Sequence, residues 1–162
     1  METATVHQPK PLTPAQVLDL LPQMPPFRFV DEIVEISDEH AVGRYTFKED
    51  ETFYAGHFPD EPITPGVILL ESMCQTGLVA LGLYLLAKEI PSRDELLRHK
   101  TLFVDAQVDF SGIVLPRDTV TVRAQKVFWR RRKLRSKVEM FVGDNKVVAS
   151  GVVSGMGVKR ES

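Results

Sequence analysis

Over residues 67–86 nearly every position is apolar; the polar interruptions are Glu71, Ser72, Gln75 and Thr76, and glycine stands at 77 and 82. Proline is absent between Pro65 and Pro91, Thr64 is placed to cap, and Pro65 suits a first helical position. The run therefore predicts one helix of about 24 residues, roughly 36 Å long. It has no polar face, so the rest of the fold has to wrap it.

The flanking segments read as strands. Residues 27–36 and 40–49 are rich in β-branched and aromatic side chains, with Ser37, Asp38 and Glu39 as a polar turn between them. After a polar linker at 90–100, strand patterns recur at 101–110, 118–129, 134–142 and 146–158. Gly143-Asp144-Asn145 suits a hairpin turn between the last two, and Arg130 to Lys133 form a charged tip between the second and third. Near the start, Thr13-Pro14 has the cap-then-proline signature, and Val17, Leu20 and Leu21 keep helical spacing until Pro22. Residues 1–12 are expected to be a flexible arm ahead of a single domain over 13–162. The order of elements points to an α+β fold in which one antiparallel sheet curls round one long helix.

Composition narrows the classes. The chain has 162 residues, 20 basic and 22 acidic, for a formal net charge of -2. No global field favours nucleic acid or an anionic membrane, so neither is expected as a partner. A single cysteine, Cys74, excludes a disulfide within the chain and any Cys-cluster zinc site. With no apolar leader in the first residues, the expectation is a reducing, cytoplasmic setting. The apolar run is long enough to span a bilayer, but a carboxylate inside a lipid-facing helix costs about 2.5 to 3.5 kcal/mol, and a membrane span is not expected.

Candidate chemistry collects in the loop 51–66 and the start of the helix. Five constrained residues, Gly56, Pro59, Pro62, Pro65 and Gly66, fall within this loop. His57 lies among them between a glycine and an aromatic residue, where a side chain titrating near neutrality suits a general base. Glu71 is two turns into the apolar helix, and burial there disfavours its charge, which suits a general acid. The Gly66 amide, with Val67 after it, has no Cβ to block close approach and suits an oxyanion site. Blander readings stand beside these. A loop histidine is often structural, and a helix glutamate often pairs with an arginine such as Arg44 or Arg123. Cys74 reads as a core thiol rather than a nucleophile. His7, His40 and His99 show no ligand spacing, so no metal site is expected.

The string at 56–75, GHFPDEPITPGVILLESMCQ, resembles the active-site signature of the 3-hydroxyacyl-[acyl-carrier-protein] dehydratases. Leu21-Pro22, Pro26-Phe27 and Val30-Asp31 resemble that family's entry motif, and glutamate at position 71 resembles its general branch; the dehydratase/isomerase branch carries aspartate there. The resemblance implies a hot-dog fold and, without metal or redox cofactor, conversion of a (3R)-3-hydroxyacyl thioester on acyl carrier protein to the trans-2-enoyl thioester in fatty-acid or related biosynthesis. It implies His57 and Glu71 as catalytic residues, Gly66 and Val67 as backbone donors, and Phe58, Cys74 and Gln75 as tunnel lining or support. It also implies homodimers in which each site takes its histidine from one subunit and its carboxylate from the other. Arg130, Arg131, Arg132 and Lys133, next to Trp129, then read as a docking surface for the acidic carrier. The chain departs from the family pattern at Gln23-Met24, Val108-Asp109-Phe110 and Arg117, which stand in place of His-Arg, Lys-Phe-Arg and glycine. A hot-dog thioester hydrolase and a non-catalytic partner subunit of a heteromeric dehydratase are the alternatives.

Overall fold

The computed structural model describes residues 9–161, so most of the arm expected at 1–12 lies outside the described residues. Helix α1 (Pro14–Leu20) opens with a reciprocal capping box between Thr13 and Gln16 and buries Val17 and Leu20. Strands β1 (Glu32–Ile36) and β2 (His40–Thr46) follow as a hairpin, then a single 3-10 turn (Thr52–Ala55) and helix α2 (Gly66–Leu86). A short helix α3 (Arg93–Leu97) leads into β3 (His99–Phe110), β4 (Thr119–Arg130), β5 (Lys133–Val142) and β6 (Lys146–Lys159). The six strands form one antiparallel sheet in the order β1-β2-β4-β5-β6-β3.

This is the helix-in-sheet arrangement expected from the sequence. Alternation along β4 and β5 turns Val120, Val122, Ala124, Leu134, Val138 and Met140 inward, where all are buried with Met73, Leu78 and Leu81 of α2. Although α2 is long and apolar enough to cross a membrane, 72% of its apolar window is buried inside the protein.

Three expectations shift. The linker 90–100 contains α3, capped by Ser92 and anchored by buried Leu96. Helix α2 begins at Gly66 with Pro65 as its cap residue; the Thr64 hydroxyl is taken by Tyr54 at 2.6 Å and caps nothing. The first strand starts at Glu32 rather than 27, because the backbone of Phe27 and Phe29 is bonded by side chains of α2, as described below.

Helix and sheet touch most closely at Gly77, inside a wide π turn at Gln75–Ala80. A Cβ added there would lie 2.8 Å from Val138 Cγ1 and 3.2 Å from Ala124 Cβ. The Gly77 carbonyl accepts a hydrogen bond from the buried Ser136 hydroxyl at 2.7 Å. In an exposed helix, glycine to alanine stabilises by about 1 kcal/mol. Gly77→Ala is expected to do the reverse and destabilise by roughly 1–3 kcal/mol through overpacking, read as a lower urea midpoint with an unchanged m-value.

Candidate active site

His57 is fixed by its own backbone and by a loop carbonyl. Its N–H donates to the Phe53 carbonyl at 3.0 Å, and its carbonyl accepts the Ile63 N–H at 3.0 Å. The peptide that follows it is cis, and the Phe58 ring stacks on the imidazole at a centroid distance of 4.2 Å. Nδ1 lies 2.8 Å from the Ile63 carbonyl oxygen. A carbonyl only accepts, so Nδ1 carries the proton and the lone pair of the neutral ring is on Nε2. The side chain is half-buried. A base with its tautomer set and its free nitrogen accessible is the outcome.

Glu71 is positioned by Gln75, one turn further along α2. Gln75 is fully buried and makes three hydrogen bonds. Its Oε1 accepts the Phe29 N–H at 2.7 Å, while Nε2 donates to the Phe27 carbonyl and to Glu71 Oε1, both at 2.9 Å. Because Phe29 offers a donor and Phe27 an acceptor, only this orientation of the amide satisfies both. Ser72 adds a fourth tie, its hydroxyl donating to the Phe29 carbonyl at 2.9 Å. Burial raises the Glu71 carboxyl above the usual carboxylate range, and the Gln75 N–H partly opposes this by stabilising the ionised form. No arginine pairs with Glu71 among the described residues, so the ion-pair alternative with Arg44 or Arg123 does not hold. Arg44 pairs with Glu32 at 3.7 Å, and Arg123 stacks on Phe141.

The Cys74 thiol is pushed up to about 12, by burial first and then by Glu71, and so behaves as a core thiol. At the start of α2 the Pro65 carbonyl is taken by the N–H groups of Ile68 and Leu69, at 2.9 and 3.2 Å. Those of Gly66 and Val67 lie in the first turn, where a helix supplies no internal acceptor. The Phe110 ring edge is 3.5 Å from where a Gly66 Cβ would sit, and Val67 is 72% exposed. His57, Glu71, Gly66 and Val67 therefore fall on two adjoining segments, the loop and the first two turns of α2. Neither His57 nor Glu71 hydrogen bonds to the other within one chain.

A profile described as the FabA-like domain matches residues 21–151. The chain belongs to this family. It is 34% identical over 149 residues to a 3-hydroxyacyl-[acyl-carrier-protein] dehydratase FabZ of Chlamydia trachomatis, covering 90% of this chain and 92% of that one. The FabZ of Herpetosiphon aurantiacus is 33% identical over 149 residues, covering 86% and 94%. A bifunctional LpxC/FabZ enzyme of Bacteroides thetaiotaomicron is 36% identical over 134 residues, which span 82% of this chain and 27% of that enzyme. Among solved structures, the ApeI:P dehydratase heterocomplex of Xenorhabdus doucetiae superposes with a TM-score of 0.74 at 15% identity, covering 92% and 93% of the two chains. A thioesterase of Haemophilus influenzae gives 0.62 at 12% identity, covering 94% of each. These two establish the FabA-like chain as a hot-dog fold.

The basic tip lies elsewhere. Arg130 and Arg131 are exposed, Lys133 is half-buried, and Arg132 is turned inward onto His99. The Arg132 carbonyl bonds Gly157, opposite Thr101 near the beginning of β3, whereas Gly66 meets Phe110 at the strand's end. At about 3.3 Å per residue, the tip and the Gly66 amide of one chain stand roughly 30 Å apart along β3.

The carboxyl and its amide partner give a direct test. Gln75→Leu removes the N–H that favours ionised Glu71 and leaves the burial, so Glu71 is expected to titrate at higher pH than in the wild type. Carbon-13 chemical shifts of the glutamate carboxyls across a pH series would show it; an unchanged or lower titration point contradicts the arrangement.

Proposed function

We propose that the protein converts (3R)-3-hydroxyacyl-[acyl-carrier-protein] to the trans-2-enoyl thioester, with His57 and Glu71 as the reacting pair. The observation that carries this reading is the bonding around the two groups. The His57 ring presents a lone pair on Nε2, and Glu71 is held towards its neutral form by burial. β-Elimination of water needs one group of each kind. His57 Nε2 removes the α-proton while the Gly66 N–H, beside that of Val67, donates to the thioester oxygen as negative charge builds there. The bond from Cβ to the hydroxyl oxygen breaks, and the leaving hydroxide takes the Glu71 proton and departs as water. His57 then carries the extra proton and Glu71 the charge; one proton passed between them through solvent restores both. The chemistry draws on no metal or redox cofactor.

Each site is shared between two copies of the chain. The support is β3, an edge strand with an unpaired hydrogen-bonding row that exposes Leu102 by 54% and Phe103 by 56%, with Val104 and Phe110 also exposed. Such an edge pairs readily with another strand. A second copy laid antiparallel along it buries this apolar row and gives a homodimer, or a heterodimer if the partner is a paralogous subunit. Antiparallel pairing also brings the tip at the beginning of one β3 close to Gly66 at the end of the other. The acidic carrier then docks on Arg130, Arg131 and Lys133 of one subunit and serves the site at the partner's helix start, with the buried face of α2 and Phe58 lining the acyl path. A buried, single cysteine suits a cytoplasmic setting.

Purified protein with a 3-hydroxyacyl carrier protein is expected to yield a product lighter by one water in mass spectrometry. His57→Ala and Glu71→Ala are each expected to reduce the rate by about 100- to 10,000-fold. Release of free acid by the wild type would indicate a hydrolase, and no reaction across several chain lengths a partner-dependent subunit. Mixing and refolding the two inactive variants together should restore about a quarter of the wild-type activity. Half of the random dimers then hold one site with both groups intact. Failure to recover any activity would mean that each site is built within a single chain.

A further inference from the structure

The turn between β4 and β5 is held in a conformation its residues disfavour. Arg131 and Arg132 are its two central positions, between the paired Arg130 and Lys133, with φ of +49° and +62°. Two-residue turns with both central φ positive are ordinarily occupied by Asn and Gly, because a Cβ crowds the backbone there. Such a conformation persists where surrounding contacts over-determine it.

Those contacts converge on Arg132. Its carbonyl accepts the Gly157 N–H at 2.8 Å, and its Nη1 lies 3.0 Å from Nε2 of His99, a residue only 5% exposed. The other ring nitrogen, Nδ1, lies 2.8 Å from the Glu95 carbonyl. A guanidinium only donates and a carbonyl only accepts, so both contacts are satisfied by one state of the ring, neutral with the proton on Nδ1. Beneath the pair lies a narrow slot that His99 and Arg132 line together with Leu78, Gly82 and Leu86 of α2. The turn therefore spans a gap and leans on a histidine that is itself anchored to α3.

We infer that His99 is a positioning residue for carrier docking. Through Arg132, which acts as an inward strut and makes no carrier contact, it holds the turn so that Arg130, Arg131 and Lys133 face outward as one cationic surface. The inference rests on the docking reading above, and it assigns His99 and Arg132 roles distinct from that of their neighbours.

Steady-state kinetics of the full chain on a 3-hydroxyacyl carrier protein and on the same acyl group carried by pantetheine provide the test. His99→Leu is expected to raise the KM for the carrier substrate roughly tenfold, with no matching rise for the pantetheine thioester and no fall in kcat. His99→Gln, whose amide accepts from Arg132 and donates to the Glu95 carbonyl, should recover most of the loss. Arg132→Met leaves the buried ring in place and covers the case in which leucine at 99 does not fold. It should give the same KM split, broaden the amide signals of residues 130–133, and add nothing when combined with His99→Leu. Arg131→Glu separates the two ideas. If it raises the carrier KM while His99→Leu and Arg132→Met do not, docking at the turn stands and the strut is overturned. If Arg131→Glu itself leaves the carrier KM unchanged, the docking reading falls and the inference falls with it.

Discussion

Helix α2 is apolar almost all round, and most of the structure follows from covering it. A sheet of six strands curls over it, and glycine at 77 lets the two backbones approach closely enough to exclude solvent. Cover is uneven along the helix. Val67 is exposed, Gly66, Ile68, Leu70 and Glu71 are half-buried, and every residue of 72–86 is buried. Glu71 is thus the last position before continuous burial begins. A carboxyl one turn earlier would be solvated and ionised at neutral pH; one turn later it would be out of a substrate's reach. The gradient of burial, set by where the sheet stops, both raises the Glu71 carboxyl and leaves it accessible.

Burying a helix that carries polar side chains demands partners for each of them. Gln75 and Ser72 meet that demand by bonding the backbone of Phe27 and Phe29, which draws the segment before β1 over the helix and denies it a place in the sheet. The same amide then has one N–H left for Glu71. Core satisfaction and carboxyl placement are therefore one network. Ser136 does the corresponding work on the other flank by bonding the Gly77 carbonyl.

Much of this was legible in the residues. Alternation and turn chemistry located β3 to β6 to within two residues and the start of β2, which ends at Thr46 rather than at 49, and the apolar run located the helix. What pattern could not show was any contact between distant segments. Residues 27–31 have the composition of a strand, but the Phe27 carbonyl and both backbone groups of Phe29 bond to side chains more than forty residues on, as from Phe29 to Gln75. Thr64 has the chemistry of a cap, but its hydroxyl bonds to Tyr54, a residue of the preceding turn, and the helix starts without a side-chain cap. At the site, His57, Glu71 and Gly66 were readable from local constraint and from a shared motif. The tautomer of His57 depends on the Ile63 carbonyl, which a loop brings round and no spacing rule predicts. Likewise, Arg132 sits in a run of four cations that reads as uniform, and only the fold turns it inward onto His99.

The two ends of β3 explain why a single chain looks unfinished. One end lies against the Gly66 amide and the other under the basic turn, and most of the twelve-residue strand that joins them is exposed. In the proposed complex, a carrier protein bound at the turn stands roughly 30 Å along this strand from the site of the same chain. An antiparallel partner on that edge reverses the direction of its own β3 and places its helix start beside the turn. In the proposed dimer one physical liability, an apolar unpaired edge, is covered by the same association that brings the proposed docking surface and reacting groups together. The exposed row of Leu102, Phe103, Val104 and Phe110 is, on this view, as much a part of the proposed site as His57 and Glu71.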